Sequence, residues 1–286
     1  MLRKTFQHTV PFLPDVESPT MRNTLNTAVR LTVLATAVLG ATFAHAATVT
    51  PGQFKVGMEI TYPPFESYDE KKNVVGSDPD LSRLLAKHMD LKAEFVDTKF
   101  SSLILSLNAG HYDAIISGMY ITPERQTQAQ TIAYAKTGAA IMVLKDSPLK
   151  PKVPEDLCGL KVGLEKGTTW VAQFNKLSTD YCVPNNKGAI SVSEFPSAPE
   201  VTQALLSGNV QAQVEIDGAA GMIAERTKGR VVVSTEHSIY QQTLGIYVKK
   251  GNDELYQALL KAFDETKKSG EYAALLKKYN LEEPSN

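Results

Sequence analysis

The sequence lacks both an excess of charge and any arrangement of side chains typical of a metal site. Its 30 Lys and Arg residues are balanced by 31 Asp and Glu residues, so the net charge is -1. Nucleic-acid-binding proteins contact phosphates mainly through clustered Lys and Arg, so this balance argues against nucleic acid as a partner. No His-Glu-x-x-His motif occurs, and the histidines lack metal-ligand spacing: His8, His45, His88, His111 and His237. The sequence therefore predicts no metal and no cofactor.

The N-terminal segment lacks the cysteine that would carry a lipid anchor. In residues 21–46, Arg22 and Arg30 precede an apolar run over residues 31–43, and Ala44-His45-Ala46 fits the small-x-small cleavage rule. The run is too short for a spanning helix. We expect a signal peptide that starts at Met21 and is cleaved after about Ala46. Residues 1–20 then result from a start codon assigned too far upstream.

Cysteine is scarce, and the chain has only Cys158 and Cys182. An even number of cysteines in an exported chain predicts one disulfide, with two free buried thiols as the alternative. With 286 residues, the chain is long enough for two modest domains, each with its own core.

The first half of the mature chain alternates between predicted strands and helices. The strands are residues 55–60, 94–96 and 113–117, and the helices between them are residues 77–88 and 101–108. Ser77 or Asp78 is predicted to cap the first helix. This order implies a parallel sheet that binds ligands at the carboxyl ends of its strands. The candidates after those ends are Glu59, Tyr62, Phe100, Ser117, Gly118 and Tyr120.

Arg125 follows the third strand and lies in the first turn of a helix that Thr122 caps and Pro123 opens. The helix dipole disfavours a cation at this end, so the helix itself gives no reason for an arginine here. A ligand carboxylate that pairs with Arg125 would give such a reason. A solvated surface arginine is the alternative.

The second half repeats this pattern weakly. Residues 108–114 and 206–212 both join a helix end, a glycine and the start of a strand, which predicts two lobes of similar α/β build. Thr168 and Thr169 precede a helix and either bind an anion or form an ordinary cap. Asp217 follows the strand at residues 210–216 and either caps the next helix or also faces the cleft.

A resemblance to a known family rests on four segments: KVGMEITYPPFE, DPDLSRLLAKHM, LILSLNAGHYDAIISGMYITPERQ and DLCGLKVGLEKGTT. They resemble the periplasmic solute-binding proteins of polar amino-acid ABC transporters, family 3, of the lysine/arginine/ornithine- and histidine-binding type. The resemblance spans most of residues 53–279. YPPFE followed in order by YDAIISGM and ITPER is its specific part.

The resemblance implies a type II periplasmic binding protein fold, in which two α/β lobes close over a ligand about a hinge. It places the two hinge crossings near residues 137–140 and 241–244. Lobe 1 is then residues 47–138 plus 243–286, and lobe 2 is residues 139–242. Residues 1–46 are the extension and signal peptide.

The resemblance also implies a site for a zwitterion. Arg125 resembles the arginine that pairs with the ligand α-carboxylate, completed by amides near Gly118 and Tyr120 and by Thr168 and Thr169. Glu59 and Asp217 resemble the acids that bind the α-ammonium, and Tyr62 and Phe100 resemble the aromatic residues that enclose the side chain.

Several residues depart from the family pattern. Glu59 stands where Asp is commoner, and Tyr120 stands where Ser or Thr is usual. Asp217 arrives about one residue late, which leaves Glu215 as the alternative acid, and Gln211 replaces a usual Asp.

The function implied is that of a monomeric, non-enzymatic periplasmic protein that binds an amino acid or a related zwitterion and delivers it to an inner-membrane ABC permease. The alternative is a periplasmic enzyme on the same scaffold, similar to cyclohexadienyl dehydratase, with Glu59 as a general acid. The acidic residues favour a cationic ligand, although the α-ammonium alone would also account for them.

Overall fold

The structure, a computed structural model, describes residues 47–284. The predicted signal peptide and its start at Met21 lie outside these residues. The strands are β1 (Gln53–Met58), β2 (Ser67–Tyr68), β3 (Val74–Val75), β4 (Lys92–Asp97), β5 (Ala114–Ile115), β6 (Ala129–Leu144), β7 (Lys161–Glu165), β8 (Ser191–Phe195), β9 (Ala212–Ile216), β10 (Val231–Val233) and β11 (Ile239–Lys249). The α-helices are α1 (Ser77–His88), α2 (Leu103–Asn108), α3 (Pro123–Gln128), α4 (Thr169–Leu177), α5 (Ala198–Leu206), α6 (Asp217–Arg226), α7 (Asp253–Lys268) and α8 (Glu271–Tyr279).

Within residues 47–284, nine strands form one mixed sheet in the order β4-β1-β5-β11-β6-β9-β7-β8, and β10 pairs with β6. At one end β1 runs parallel to β4 and β5, and at the other end β7 runs parallel to β8 and β9. We call these halves the first and second lobes. The long strands β6 and β11 pair antiparallel between them and connect both. The two-lobed α/β fold expected from the sequence is confirmed.

The core of the first lobe follows from alternating apolar side chains on β1. Phe54, Val56 and Met58 are fully buried. On the opposite face, the ring of Tyr112 lies where a side chain at Gly57 would stand. Only glycine permits this close approach. Strand β1 ends at Met58, so Glu59 is the first residue beyond the sheet.

The prediction that Ser77 or Asp78 caps α1 is wrong. Helix α1 begins at Ser77 after Gly76, which has φ 135°, and no side chain caps it. The buried Asp78 instead accepts a hydrogen bond from the Gly118 amide at 2.7 Å and from the Tyr134 hydroxyl at 2.9 Å. The Asp78 carboxyl group therefore fixes the turn after β5 and does not cap α1.

The predicted disulfide is confirmed between Cys158 and Cys182, which are 24 residues apart. It ties the short turn Pro154–Leu157 to the chain after α4. No helix in the described part of the chain is long and apolar enough to cross a membrane.

We expect replacement of Cys158 and Cys182 by serine to destabilise the protein by about 3 kcal/mol, because the bridge limits the freedom of the unfolded loop. Urea unfolding of the double variant and the wild type measures this difference. A reductant should lower the unfolding midpoint of the wild type and leave that of the double variant unchanged. Equal unfolding midpoints without reductant would contradict the prediction.

Candidate functional site

A small cavity, with about 20 Å³ of free space, lies between the strand ends of the two lobes. Eight of the ten binding residues predicted from the sequence line it: Glu59, Tyr62, Phe100, Gly118, Tyr120, Arg125, Thr168 and Thr169. The remaining lining residues are Glu66, Glu165, Trp170 and Ile216. This space holds about one water molecule, so a larger ligand enters only when the lobes move apart.

Arg125 is buried in the wall of this cavity. Thr122 caps α3 by accepting from the Arg125 amide at 3.2 Å, as predicted. The guanidinium donates to the Tyr120 carbonyl in the first lobe at 2.6 Å and to the Gly167 carbonyl in the second lobe at 2.9 Å. It also lies over the Phe100 ring, 5.6 Å from its centroid. Arg125 is therefore not a solvated surface residue.

No carboxylate from residues 47–284 forms an ion pair with Arg125, whose hydrogen-bond partners there are carbonyl oxygens. Burial lowers the pKa of the guanidinium from its ordinary value, although an arginine stays charged. A buried cation that pairs with no carboxylate favours an anion in the adjacent space.

The N-terminus of α4 supplies further donors. The Thr169 hydroxyl is buried and has no partner within the described chain. The first amides of a helix also lack intrahelical partners and favour negative charge. The Thr168 hydroxyl, in contrast, donates to the Glu165 carbonyl at 2.7 Å. Thr169 and the helix end thus suit an anion better than Thr168 does.

The turn after β5 positions the opposite wall. Gly118 adopts φ 50°, which favours glycine, and its amide is already bonded to Asp78. Tyr120 packs edge-on against Trp170 of α4 at 6.1 Å and donates to the Gly138 carbonyl at 3.2 Å. Gly118 therefore lines the cavity without a free amide, and Tyr120 narrows it.

Three buried glutamates gather at the cavity. The Glu59 carboxylate accepts from the Phe100 amide at 3.2 Å and lies 3.3 Å from Lys99 Nζ. Glu165, at the end of β7, lines the same cavity from the second lobe. Burial and then the neighbouring Glu59 raise the pKa of Glu165 to about 11. Burial also raises the pKa of Glu66, which accepts from the Ser117 hydroxyl at 2.7 Å.

Two predicted residues do not line the cavity. Ser117 lies behind it, where its hydroxyl bonds Glu66 and accepts from the Glu59 amide at 3.1 Å. Asp217 is the first residue of α6 and lies in a different hollow near the strands that join the lobes, where it accepts from Ser238 at 2.5 Å.

Glu215, the alternative to Asp217, is next to the cavity. The Tyr62 hydroxyl donates to it at 2.8 Å and accepts from the Ile216 amide at 3.1 Å, which joins the two lobes. Gln213 donates to its other oxygen at 2.7 Å. Burial raises the pKa of Glu215 to about 7.

The sequence reasoning missed Glu66 and Glu165 as cavity residues. Glu165 stands at the carboxyl end of β7, so the strand-end rule applied to the first lobe would have found it. Glu66 ends the YPPFE segment, which carried the family resemblance.

The fold and this cleft define a two-lobed binding protein with a ligand site between its lobes. Residues 54–282 match the bacterial extracellular solute-binding proteins, family 3, and the chain belongs to this family. The family resemblance noted in the sequence is confirmed.

Individual relatives agree with this assignment. The chain is 41% identical over 137 residues to ABC transporter arginine-binding protein 1 of Escherichia coli (strain K12), covering 48% of this chain and 55% of that protein. It is 34% identical over 183 residues to the lysine/arginine/ornithine-binding periplasmic protein of the same strain, covering 63% and 66%. Among solved structures, an ancestral arginine-binding protein bound to arginine has a TM-score of 0.73 at 35% identity, covering 80% of this chain and 98% of that chain.

The raised pKa of Glu215 predicts a pH-dependent stability. Between its ordinary pKa of 4.5 and about 7, the folded protein holds a proton that the unfolded chain releases, so stability falls as pH rises through this window. The free energy of unfolding of the wild type should fall between pH 4.5 and 7.5. We expect this fall to be about 3 kcal/mol smaller in the Glu215→Gln variant, as measured by urea unfolding at both pH values.

Glu200→Gln, at an exposed position on α5, is the matched control and should keep the wild-type pH dependence. A Glu215→Gln variant with that same dependence would refute this interpretation.

Proposed function

We propose that the mature protein binds an amino acid or a related zwitterion between its lobes and delivers it to an inner-membrane ABC permease. The observation that carries this proposal is the buried Arg125 guanidinium, which faces the cavity without an acidic partner in residues 47–284. A ligand α-carboxylate would supply the missing anion through a bidentate pair. The Thr169 hydroxyl and the first turn of α4 would complete the anion site.

The acidic part of the cavity lining suits the cationic end of a zwitterion. Glu59, Glu66 and Glu165 bring carboxyl groups to it, and Glu215 lies behind Tyr62. In this proposal Glu59 binds the α-ammonium, while Tyr62 and Phe100 enclose the ligand side chain. Glu215 is the better candidate than Asp217 for the supporting acid, since only Glu215 contacts Tyr62.

Ligand contacts with both lobes would favour the closed state, because a ligand shifts a hinge equilibrium only through contacts that differ between the states. We assign residues 47–138 and 243–286 to lobe 1 and residues 139–242 to lobe 2. The pairing of β6 with β11, through Thr137 and Gln242 among others, supports a hinge at these crossings.

We place this function in the periplasm, after cleavage of the predicted signal peptide near Ala46, and assign it to a monomer because both walls of the cleft belong to one chain. The named relatives are binding proteins, which supports binding without conversion of the ligand and weighs against the dehydratase-like alternative.

The first test concerns Arg125. We expect Arg125→Ala to weaken the binding of any amino acid that the wild type binds by at least about 30-fold in isothermal titration calorimetry, because a buried charge pair loses one partner. Arg226→Ala removes an exposed arginine at the end of α6 and serves as the control. Unchanged affinity in Arg125→Ala would remove the central claim.

The second test concerns chemistry. We expect an amino acid incubated with the wild type and then released by denaturation to be recovered unchanged, as measured by proton NMR against a protein-free sample. Formation of a new compound by the wild type but not by the heat-denatured protein would support the enzyme alternative instead.

A further inference from the structure

The cavity holds more carboxyl groups than a simple zwitterion needs. Glu59, Glu66 and Glu165 are 4%, 1% and 6% exposed, and all three line the cavity with a single arginine, Arg125. The Lys99 ammonium approaches Glu59 from a largely exposed side chain. Buried carboxylates require a compensating cation or a proton.

Glu59 and Glu165 belong to different lobes. Glu59 follows the end of β1 and Glu165 ends β7, yet both buried carboxyl groups line the same small cavity. Two buried carboxyl groups in one small cavity repel each other unless one is protonated or a cation lies between them. Glu165 Oε1 and Glu66 Oε2 are both buried without a hydrogen-bond donor in the described chain. These oxygens can accept hydrogen bonds from a donor in the cavity.

We propose that Glu165 is a ligand-contacting residue, and that Glu59 and Glu165 together bind a cationic nitrogen of the ligand in place of the proton they share when the cleft closes empty. This inference rests on the proposed function for its ligand. An ammonium or guanidinium group supplies several N–H donors and a positive charge, which satisfies both carboxylates and Glu165 Oε1 together.

The pair therefore opposes closure of an empty cleft at neutral pH, since two carboxylates approach only if one takes up a proton. Other charged groups face Glu165: Glu66 from the first lobe, Glu215 from β9, and Lys99 through Glu59. Glu66 and Glu215 are acids and add to the repulsion, whereas Lys99 offsets part of it. Lowering the pH supplies the proton, and the closed fraction rises by up to about tenfold per pH unit.

The binding test uses L-arginine as the probe in calorimetry at pH 8. We expect Glu165→Gln to weaken its binding by roughly 10- to 100-fold, because a charged hydrogen-bond acceptor is lost. Glu194→Gln, on the neighbouring strand β8 and exposed, should bind L-arginine as the wild type does. Unchanged affinity in Glu165→Gln overturns the role of Glu165 and leaves the proposed function standing. Absence of amino-acid binding by the wild type counts against the proposed function instead.

A second test needs no ligand. Small-angle X-ray scattering of the ligand-free protein gives the radius of gyration at pH 5 and pH 8. We expect the wild type to be more compact at pH 5 and Glu165→Gln to change less, because its neutral amide meets Glu59 without a proton. Since Glu66 and Glu215 remain in both proteins, any difference between their responses to pH is due to Glu165. An identical response of the two proteins to pH overturns the proposal.

Discussion

The cleft depends on one buried charge that the protein does not neutralise. The Arg125 guanidinium is held between a carbonyl of each lobe, at Tyr120 and Gly167, and no acid of residues 47–284 pairs with it. A buried cation without a carboxylate is costly, so the site is complete only with an anion present. Helix α3 fixes the backbone of Arg125 through the Thr122 cap, and the Phe100 ring covers its guanidinium.

Electrostatic complementarity extends along the cavity. Arg125 and the N-terminus of α4 bring positive charge to the cavity, whereas Glu59 and Glu165 bring carboxyl groups from opposite lobes. Tyr62 adds a further bridge, since its hydroxyl contacts Glu215 and Ile216 in the second lobe. Because the groups of each charge come from opposite lobes, a ligand that contacts them couples its binding to closure of the lobes.

Buried polar residues behind the cavity hold its lining residues in place. Asp78 anchors the Gly118 amide, and Ser117 links Glu66 to the Glu59 backbone. Burial raises the pKa of Asp78 to about 6, although its hydrogen bonds oppose that rise. These buried polar groups fix the turn that carries Tyr120, whose ring closes the cavity against Trp170.

The sequence by itself determined the α/β alternation, the Thr122 cap, the position of Glu59 after a strand and those of Arg125 and Thr169 at helix starts, because these signals are local in the chain. It did not identify Asp78 as a buried anchor, since a capping residue and a buried acid look alike before α1. Tertiary structure alone decided that Tyr62 meets Glu215, 153 residues away, and that Glu59 and Glu165 line one cavity. The physical reason is that adjacent positions on a strand point to opposite faces, and only the packing of two distant segments decides which faces meet.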